Sequence, residues 1–274
     1  MRIALGVEYD GSDFCGWQRQ RTGRTVQGCL EKALSVVADQ ATSVICAGRT
    51  DTGVHATGQV IHFDTGAQRA MKSWVRGVNS NLPGDISIQW SAVMDAAFHA
   101  RFSARRRSYR YVILNRPVAS ALLRKRVCRV YEPLDVSTMA AAAGYLLGEH
   151  DFTSLRAAAC QAKHPVRTIH RLDVCRRGDF IYIDVTANAF LHHMVRCIAG
   201  VLIAVGTGEQ TPAWVGSLLA MRDRAAAGIT APAAGLYLVG VEYEPQFPIP
   251  DTAWLPAYDQ PGAVRTPNLP DMTG

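Results

Sequence analysis

The sequence contains no apolar run long enough to cross a membrane. A transmembrane helix needs about 20 consecutive apolar residues, and the most apolar segment, 198–205, is far shorter. The N-terminus also lacks a secretory signal, because a short apolar stretch is followed at once by the acidic residues Glu8 and Asp10. These absences predict a cytoplasmic protein that does not insert into membranes.

Close cysteine pairs are absent as well. The seven cysteines are separated from one another by at least 14 positions, and their number is odd. A CxxC motif, which would indicate a metal or redox site, therefore does not occur. Reduced thiols in a reducing compartment are the expectation for such a sequence.

Several motifs of enzyme chemistry are missing. The sequence has no H-E-x-x-H, no phosphate-binding G-x-x-x-x-G-K, no helix-opening G-x-G-x-x-G and no nucleophile elbow around a serine. His192 and His193 are adjacent on a predicted helix, so their side chains should point about 100° apart, which is unfavourable for joint metal ligation. We therefore predict neither a metal site nor a bound cofactor.

The sequence contains two copies of Asp-Thr-Gly, the motif of aspartic proteases. Their spacing excludes that class of enzyme. The copies are Asp51-Thr52-Gly53 and Asp64-Thr65-Gly66. Aspartic proteases need two carboxylates that share a proton, each supplied by its own β-rich lobe or subunit. The thirteen positions between these aspartates cannot hold two lobes, and the helices predicted below do not fit an all-β fold.

Acidic residues are absent from the segment 101–129, which is the most distinctive feature of the charge pattern. The net charge of +6 is concentrated here, since ten of the 29 basic residues lie in this tenth of the chain. Tyr109 and Tyr111 lie among them. A block of one sign with interspersed aromatics suits a phosphate backbone and its bases, so we predict contact with nucleic acid. The basic residues are Arg101, Arg105, Arg106, Arg107, Arg110, Arg116, Arg124, Lys125, Arg126 and Arg129.

The order of predicted elements indicates an α+β fold built from two similar halves. Residues 1–104 read as β, α, β, β, α, β, a split βαβ pattern, and residues 105–244 broadly repeat that architecture. We expect mixed, mainly antiparallel sheets with helices packed on them and an active-site cleft between the halves. The remainder, 245–274, holds seven of the thirteen prolines and is predicted to be an extended or disordered tail.

Three local predictions can be compared directly with the structure. Thr25 is expected to cap a helix whose apolar face includes Val26, Leu30 and Leu34. The most apolar helix is predicted over 190–205, and 148–165 is predicted to be a polar loop.

The segment 46–63 is the centre of the predicted site. It is apolar at both ends and polar in the middle, which indicates a strand, a loop and a second strand. Gly48 and Gly53 flank Asp51 in the loop and allow the backbone to approach a ligand closely. Two interpretations of Asp51 remain open at this point. Its carboxylate is either a catalytic group or the acceptor of backbone hydrogen bonds in an Asx-turn.

These residues, with others along the chain, carry a resemblance to a known family. The loop 47–56, AGRTDTGVHA, looks like the signature of the bacterial tRNA pseudouridine synthases of the TruA family. Six further segments resemble motifs of that family in the family's order. They are EYDG with GWQRQ (8–11 and 16–20), NLPGD (81–85), FHARFSA (98–104), DFTS (151–154) and NAFLHHMVR (188–196).

The resemblance implies a reaction. Enzymes of this family isomerise uridine to pseudouridine in the anticodon stem-loop of tRNA, at the positions numbered 38, 39 and 40 in tRNA, without a metal or organic cofactor. The N-glycosidic bond breaks, the uracil rotates, and C5 rejoins C1′. A carboxylate can serve as the nucleophile or assist sugar deprotonation toward a glycal, and both routes remain open. A homodimer is also implied, whereas a non-catalytic RNA-binding protein is the alternative that the basic surface alone would allow.

The resemblance also assigns roles to individual residues. Asp51 matches the catalytic aspartate, and Arg196 matches the arginine that pairs with it and keeps it ionised. Arg49 matches the arginine that helps to extrude the target base and holds the phosphate backbone. Tyr109 matches the active-site tyrosine that packs against the flipped uracil, as base flipping requires. From the charge pattern we add Arg105, Arg106 and Arg107 as phosphate-binding residues.

Overall fold

The computed structural model describes residues 1–158, 160, 162–228, 230–250 and 255–258. Within these residues the chain forms ten β-strands and five α-helices, so the predicted α+β class is confirmed. The strands are β1 (Arg2–Tyr9), β2 (Ile45–Cys46), β3 (His55–Asp64), β4 (Ile86–Met94), β5 (Arg106–Asn115), β6 (Cys128–Val130), β7 (Gly148–Asp151), β8 (Val166–Arg177), β9 (Phe180–Ala187) and β10 (Leu236–Glu242). The helices are α1 (Val26–Ala38), α2 (Met71–Asn79), α3 (Val136–Gly144), α4 (Met194–Gly206) and α5 (Trp214–Met221).

One mainly antiparallel sheet contains every strand of the described chain. Its order is β4-β1-β3-β10-β5-β9-β8-β7, with β2 paired to β3 and β6 paired to β5. Only two pairings are parallel in this part of the chain, those of β10 with β3 and of β6 with β5. The sheet is continuous across the predicted boundary at residues 104 and 105, and the division into domains stays a prediction.

Strand β10 joins the strands of the N-terminal half to those of the C-terminal half. It pairs with β3 through Tyr237 opposite His55 and with β5 through Leu238 opposite Tyr109. The approach to β3 is close, because a Cβ atom added at Gly58 would lie 2.3 Å from the carbonyl oxygen of Val239. Glycine is therefore required at position 58 for this contact.

The helices cover one face of the sheet and enclose a core shared by both halves. In α1, Thr25 Oγ1 accepts a hydrogen bond from the backbone N–H of Gly28, and Val26, Leu30 and Leu34 are fully buried. The predicted cap and apolar face of α1 are therefore confirmed. The main core includes alternate side chains of β1, β3, β5, β9 and β10 together with those of the helices, as expected where one face of a sheet is covered.

Two smaller apolar clusters, separate from the main core, include other side chains of the sheet. One includes Val60 and Phe98, and Phe247 and Ile249 pack against it. The other includes Tyr182 and Tyr237, and Tyr258 packs there with its hydroxyl 2.8 Å from that of Tyr237. The described parts of the predicted tail, 245–250 and 255–258, thus contact the sheet. Residues 251–254 and 259–274 lie outside the described residues.

Two predicted elements differ from the structure. Strand β7 lies within the predicted loop 148–165, where the short sequence Gly-Glu-His-Asp has no apolar alternation to reveal an edge strand. Helix α4 begins at Met194 rather than near residue 190, because His193 adopts the left-handed conformation with φ of 63°. No helix of the described residues has the length and apolarity needed to span a bilayer.

Candidate active site

The loop between β2 and β3 that carries Asp51 is fixed by backbone contacts at several points. The N–H of Trp17 donates to the carbonyl of Thr50 at 3.0 Å, and the N–H of Val54 donates to the carbonyl of Asp51 at 3.1 Å. Gly16, at φ of +86°, lies so close that an added Cβ would be 3.0 Å from the Thr50 oxygen. The loop therefore holds a defined shape.

The carboxylate of Asp51 faces three nitrogen-bearing side chains of the C-terminal half. His192 Nε2 lies 3.2 Å from Oδ1, whereas His193 Nε2 and Arg196 Nη1 lie 3.3 Å and 3.5 Å from Oδ2. In the part of the chain that the structure describes, no backbone N–H donates to this carboxylate. The Asx-turn interpretation of Asp51 is therefore wrong, and the carboxylate is presented to side chains of the other half.

The two histidines converge on Asp51, which corrects the sequence prediction. That prediction placed both on a helix, about 100° apart. Instead both precede α4, and the left-handed backbone of His193, with φ of 63° and ψ of 2°, turns the chain so that the ring centroids lie 4.0 Å apart. Burial lowers the pKa of His193 and the nearby Asp51 opposes that shift, with His192 and Arg196 adding to the lowering. A neutral imidazole is therefore favoured at His193.

Arg196 is anchored so that its guanidinium points toward Asp51. Its Nε donates to the carbonyl of Ala231 at 2.9 Å, and the N–H of Ala231 donates back to the carbonyl of Arg196 at 3.1 Å. The Arg196 side chain is 17% exposed, compared with 26% for Asp51. From sequence, an arginine on an apolar helix resembles a snorkelling surface residue. Here the charged head is held inside, and Nη1 is left to approach the carboxylate.

Tyr109 lies beside the loop as a buried phenol. Its ring packs edge-to-face on Phe190 at 5.0 Å, and its hydroxyl would be 3.7 Å from a Cβ added at Gly48. Burial raises the pKa of Tyr109 well above its ordinary value, with Arg107 opposing the shift and Asp51 adding to it. Tyr109 is therefore a neutral hydroxyl at physiological pH.

Arg49 lies two residues before Asp51 and is exposed. Among the described residues it has no carboxylate partner within ion-pair distance. An exposed guanidinium with no acidic partner at the edge of the site is available to an anionic ligand.

His55 fixes the far end of the same loop to the C-terminal half. It is buried, and its Nε2 donates to the carbonyls of Lys125 at 2.9 Å and Ala234 at 3.2 Å, while its ring stacks on Tyr237 at 4.6 Å. Its Nδ1 lies 3.1 Å from Asp10 Oδ1. This contact with His55 holds the pKa of Asp10 well below its ordinary value. The loop is thus attached to the N-terminal half before Asp51 and to both halves after it.

The basic segment 101–129 is largely neutralised by carboxylates from elsewhere in the chain. The segment contains only positive charges in the sequence, but in the fold acidic residues lie beside many of them. Within the described residues, six of its ten cations form ion pairs, which are Arg105–Glu244, Arg106–Glu242, Arg110–Asp184, Arg116–Asp179, Lys125–Asp13 and Arg126–Asp10.

Arg107 differs from its two neighbours because its donors bind backbone carbonyls. Nη1 donates to Ala104 and Asn188, both at 3.1 Å, and Nη2 donates to Ala47 at 3.2 Å and Arg101 at 2.7 Å. These acceptors lie before β5, after β9 and immediately before the Asp51 loop. Phosphate binding by Arg105, Arg106 and Arg107 stays a prediction. Because Arg107 would have to give up these bonds to contribute, we expect Arg105 and Arg106 to make the phosphate contacts.

The sequence prediction missed three residues that complete the site. His192, His193 and Phe190 contact Asp51 or Tyr109, and all three belong to the NAFLHHMVR segment that carries the resemblance. The signal was therefore present as a motif, although side-chain directions could not be derived from it. Asp51 and the two histidines also place three possible metal-binding atoms within 4.8 Å of one another.

A loop-borne carboxylate that faces an anchored arginine, with a buried tyrosine beside the loop, is an arrangement typical of an enzyme active site. A family model described as tRNA pseudouridine synthase matches residues 6–103 and 142–244. The match covers more than half of the chain, and the chain therefore belongs to the tRNA pseudouridine synthase family. The resemblance noted in the sequence is confirmed.

Curated relatives match over nearly their whole length. The chain is 56% identical over 250 residues to tRNA pseudouridine synthase A of Nitrosococcus oceani, covering 91% of this chain and 96% of that protein. It is 54% identical over 260 residues to the protein of the same name from Alcanivorax borkumensis, covering 93% and 97%. The Pseudomonas aeruginosa protein of that name is 52% identical and covers 100% of this chain and 94% of its own length.

Solved structures show a much weaker likeness. A Cbf5-Nop10-Gar1 complex matches with a TM-score of 0.37 and 11% identity, covering 86% of this chain and 48% of the matched chain. An archaeal box H/ACA sRNP Nop10-Cbf5 complex matches with a TM-score of 0.35 and 10% identity, covering 86% and 47%. The family assignment rests on the family model and the sequence relatives.

Proposed function

We propose that this chain isomerises uridine to pseudouridine in the anticodon stem-loop of tRNA, at tRNA positions 38, 39 and 40. Membership in the tRNA pseudouridine synthase family supports the reaction and the class of substrate. The observation that carries the proposal is the meeting of Asp51 and Arg196, which come from opposite halves and approach to 3.5 Å.

The reaction is an isomerisation, so no atom is gained or lost overall. The N1–C1′ bond of uridine breaks and a C5–C1′ bond forms. A proton leaves C5 of the uracil and N1 takes one up. The site must therefore bind an extruded uridine, hold the free uracil while it turns, and keep water away from C1′.

Asp51 is the group that acts at the ribose. Its carboxylate either attacks as a nucleophile or takes a proton from the sugar, and each route requires the ionised form. Arg196 places its guanidinium 3.5 Å from Oδ2, where it faces the reacting carboxylate. Because Arg196 Nε is held by Ala231, this charge remains in place when substrate enters.

Tyr109 supports the uracil. A buried phenol beside the loop offers an aromatic face for stacking and a hydroxyl that can donate a proton, because burial keeps it neutral. The edge-to-face contact with Phe190 fixes the ring plane. Arg49 is exposed next to Asp51 and is suited to the phosphate of the extruded nucleotide.

Other parts of the proposal concern assembly and location. Arg105 and Arg106 exchange their exposed carboxylate partners Glu244 and Glu242 for tRNA phosphates, which costs little since surface ion pairs are weak. A homodimer in the cytoplasm completes the proposal, on the strength of the resemblance. Light scattering with and without tRNA would measure the oligomeric state.

The decisive variant is Asp51→Asn, which keeps the shape of the side chain and removes its charge. We expect turnover to fall by a factor on the order of 10³ or more, while the affinity for tRNA changes little. Asp39→Asn is a matched control, because Asp39 is exposed at the end of α1 in a left-handed conformation that asparagine tolerates.

Turnover can be followed by release of tritium from C5 of labelled uridines and affinity by filter binding. Unchanged turnover in Asp51→Asn would refute the catalytic assignment. Tritium release by neither the wild type nor Asp39→Asn, with binding intact, would support the alternative of a non-catalytic RNA-binding protein.

A further inference from the structure

The two histidines beside Asp51 have no role in the isomerisation proposed above. His192 and His193 each place Nε2 within hydrogen-bond distance of a different oxygen of this carboxylate. Among the described residues, no second group of three or more His, Cys, Asp or Glu side chains is placed to hold a metal ion. Two imidazoles and a carboxylate are the ligands that zinc and similar transition-metal ions prefer.

The distances suit a tetrahedral ion. Bonds of 2.0–2.1 Å to zinc place neighbouring ligand atoms about 3.3 Å apart. Asp51 Oδ1 lies 3.2 Å from His192 and Oδ2 lies 3.3 Å from His193, and one oxygen of this carboxylate lies within 4.8 Å of both imidazole nitrogens. The two imidazole nitrogens, which are at most 4.8 Å apart, need to approach each other by no more than about 1.5 Å. The side chains are 44% and 29% exposed and have room for this rotation.

The backbone holds the pair on a rigid support. The carbonyl of His192 accepts a hydrogen bond from Ala157 N at 2.8 Å, and the carbonyl of His193 accepts one from Cys197 N at 2.9 Å in the first turn of α4. His193 has a left-handed backbone conformation, and Nε2 of each ring lies within 3.3 Å of an Asp51 oxygen. A metal ion would therefore meet three ligands that already converge.

Neighbouring positive charges limit the affinity of such a site. Arg196 Nη1 lies 3.5 Å from Asp51 Oδ2 and cannot swing away freely, since Nε is bound to Ala231. Arg224 is held nearby by Thr230, and Arg49 is exposed at the edge of the site. An ion is thus expected to bind Asp51 through Oδ1 and to leave Oδ2 to Arg196, which requires His193 to turn from its present contact with Oδ2. This environment excludes the tight binding of a structural zinc site.

We propose that Asp51, His192 and His193 form a reversible binding site for a divalent transition-metal ion, with Zn²⁺ as the best-suited ion, in the RNA-free protein. Mg²⁺ is a poor occupant because it prefers oxygen ligands. An ion bound here occupies the carboxylate that the reaction needs and the space in which uridine must sit. Metal and RNA therefore exclude each other. Binding is independent of the proposed reaction, whereas inhibition rests on it.

The first test uses RNA-free protein and Co²⁺, which reports its ligands by visible absorption. We expect one ion per chain with a Kd on the order of 1–100 µM, a spectrum of four- or five-coordinate Co²⁺, and displacement by Zn²⁺ but not by Mg²⁺. His192→Ala and His193→Ala should each weaken binding by about tenfold or more. His170→Ala is the matched control, because His170 is exposed on β8 and should leave binding unchanged.

The spectrum also identifies binding elsewhere. Cys15 is an exposed thiol, and a thiolate–cobalt charge-transfer band would show that cysteine holds the ion, which would overturn the proposal. Equal affinity in wild type, His192→Ala and His193→Ala would overturn it as well, as would a Kd weaker than about 1 mM for Zn²⁺.

The second test measures inhibition. Zn²⁺ should raise the apparent KM for tRNA with little effect on kcat, and a chelator should restore activity. The His192→Ala variant should require about tenfold more Zn²⁺ than the wild type for the same fractional inhibition. Metal binding without inhibition would refute the inhibitory role alone. Retained turnover in Asp51→Asn would refute the proposed function and leave the binding result standing.

Discussion

Replacing Arg107 with methionine should destabilise the protein far more than neutralising either arginine before it. The substitution keeps an apolar stem of similar length and removes the donors to the carbonyls of Ala104, Asn188, Ala47 and Arg101. Those carbonyls come from separate segments, so one guanidinium ties together the start of β5, the end of β9 and the loop before Asp51.

The size of the effect follows from this arrangement. Buried hydrogen bonds to a charged group contribute about 1.5–3 kcal/mol each. Because Arg107 is half-buried, two of its four bonds are exposed and all four share one group, about 0.5–1 kcal/mol for each is appropriate. We therefore expect Arg107→Met to lower the free energy of unfolding by about 2–4 kcal/mol. Arg106→Gln removes an ion pair whose side chains are 45% and 53% exposed, and should cost less than about 1 kcal/mol.

Urea denaturation followed by circular dichroism measures both values. The salt dependence of tRNA affinity supplies an independent contrast. Arg106→Gln should flatten the slope of log K against log salt by about one phosphate contact, whereas Arg107→Met, measured where it is folded, should leave the slope unchanged. A loss of less than about 1 kcal/mol in Arg107→Met, or a flattened slope in that variant, would refute the structural role of Arg107.

Three other perturbations have expected outcomes. Arg196→Ala should reduce kcat by a factor on the order of 10² or more, and a wild-type kcat would show that the Asp51 charge needs no partner. Asp10→Asn should cost about 1–3 kcal/mol at pH 7. The pKa of Asp10 is lowered in the folded state, so the stability difference between wild type and variant is present above about pH 4 and should shrink as the pH falls below that value. A difference in denaturation midpoints that does not change with pH would contradict the contact with His55. Gly58→Ala should destabilise by about 2 kcal/mol or more, because the new methyl group would meet the Val239 carbonyl at 2.3 Å, and equal stability would refute the close approach of β3 and β10.

Local chemistry made much of the fold predictable. Helix α1 carries its cap and its apolar spacing in adjacent residues, so Thr25 and Leu30 were sufficient to locate it. Strand β7 has no apolar residue and exists because it pairs with β8, which a local pattern does not reveal. The start of α4 depends on the backbone angle of His193, for which a histidine gives no local signal.

The site was predictable only in part, for a related reason. Residue type and spacing marked Asp51 as a candidate but did not separate a catalytic carboxylate from a turn-forming one. The distinction depends on Arg196, almost 150 positions later, and only the fold or a family resemblance connects the two. The convergence of His192 and His193 could not be derived, because helical periodicity was the wrong rule for residues that precede the helix.

The charge pattern of the sequence was a poor guide to the charge of the folded surface. The acid-free segment 101–129 indicated a surface of one sign, yet strands from distant parts of the chain bring carboxylates such as Glu242 and Asp184 beside it. Basic residues that are close together in the sequence are paired in the sheet with acidic residues of neighbouring strands. Ion pairs that form between strands are invisible to any window along the chain.

The position of β10 has a consequence for the order in which the protein forms during synthesis. Its neighbours in the sheet, β3 and β5, are synthesised long before β10. Each of them has another neighbour in the sheet that is also synthesised before β10. Until Leu236–Glu242 leaves the ribosome, the two ladders have no strand between them. Such late, non-local pairing slows folding and leaves strand edges exposed. Residues on either side of the gap, Asp51 and Arg196 among them, are therefore expected to reach their 3.5 Å separation only after β10 has been made.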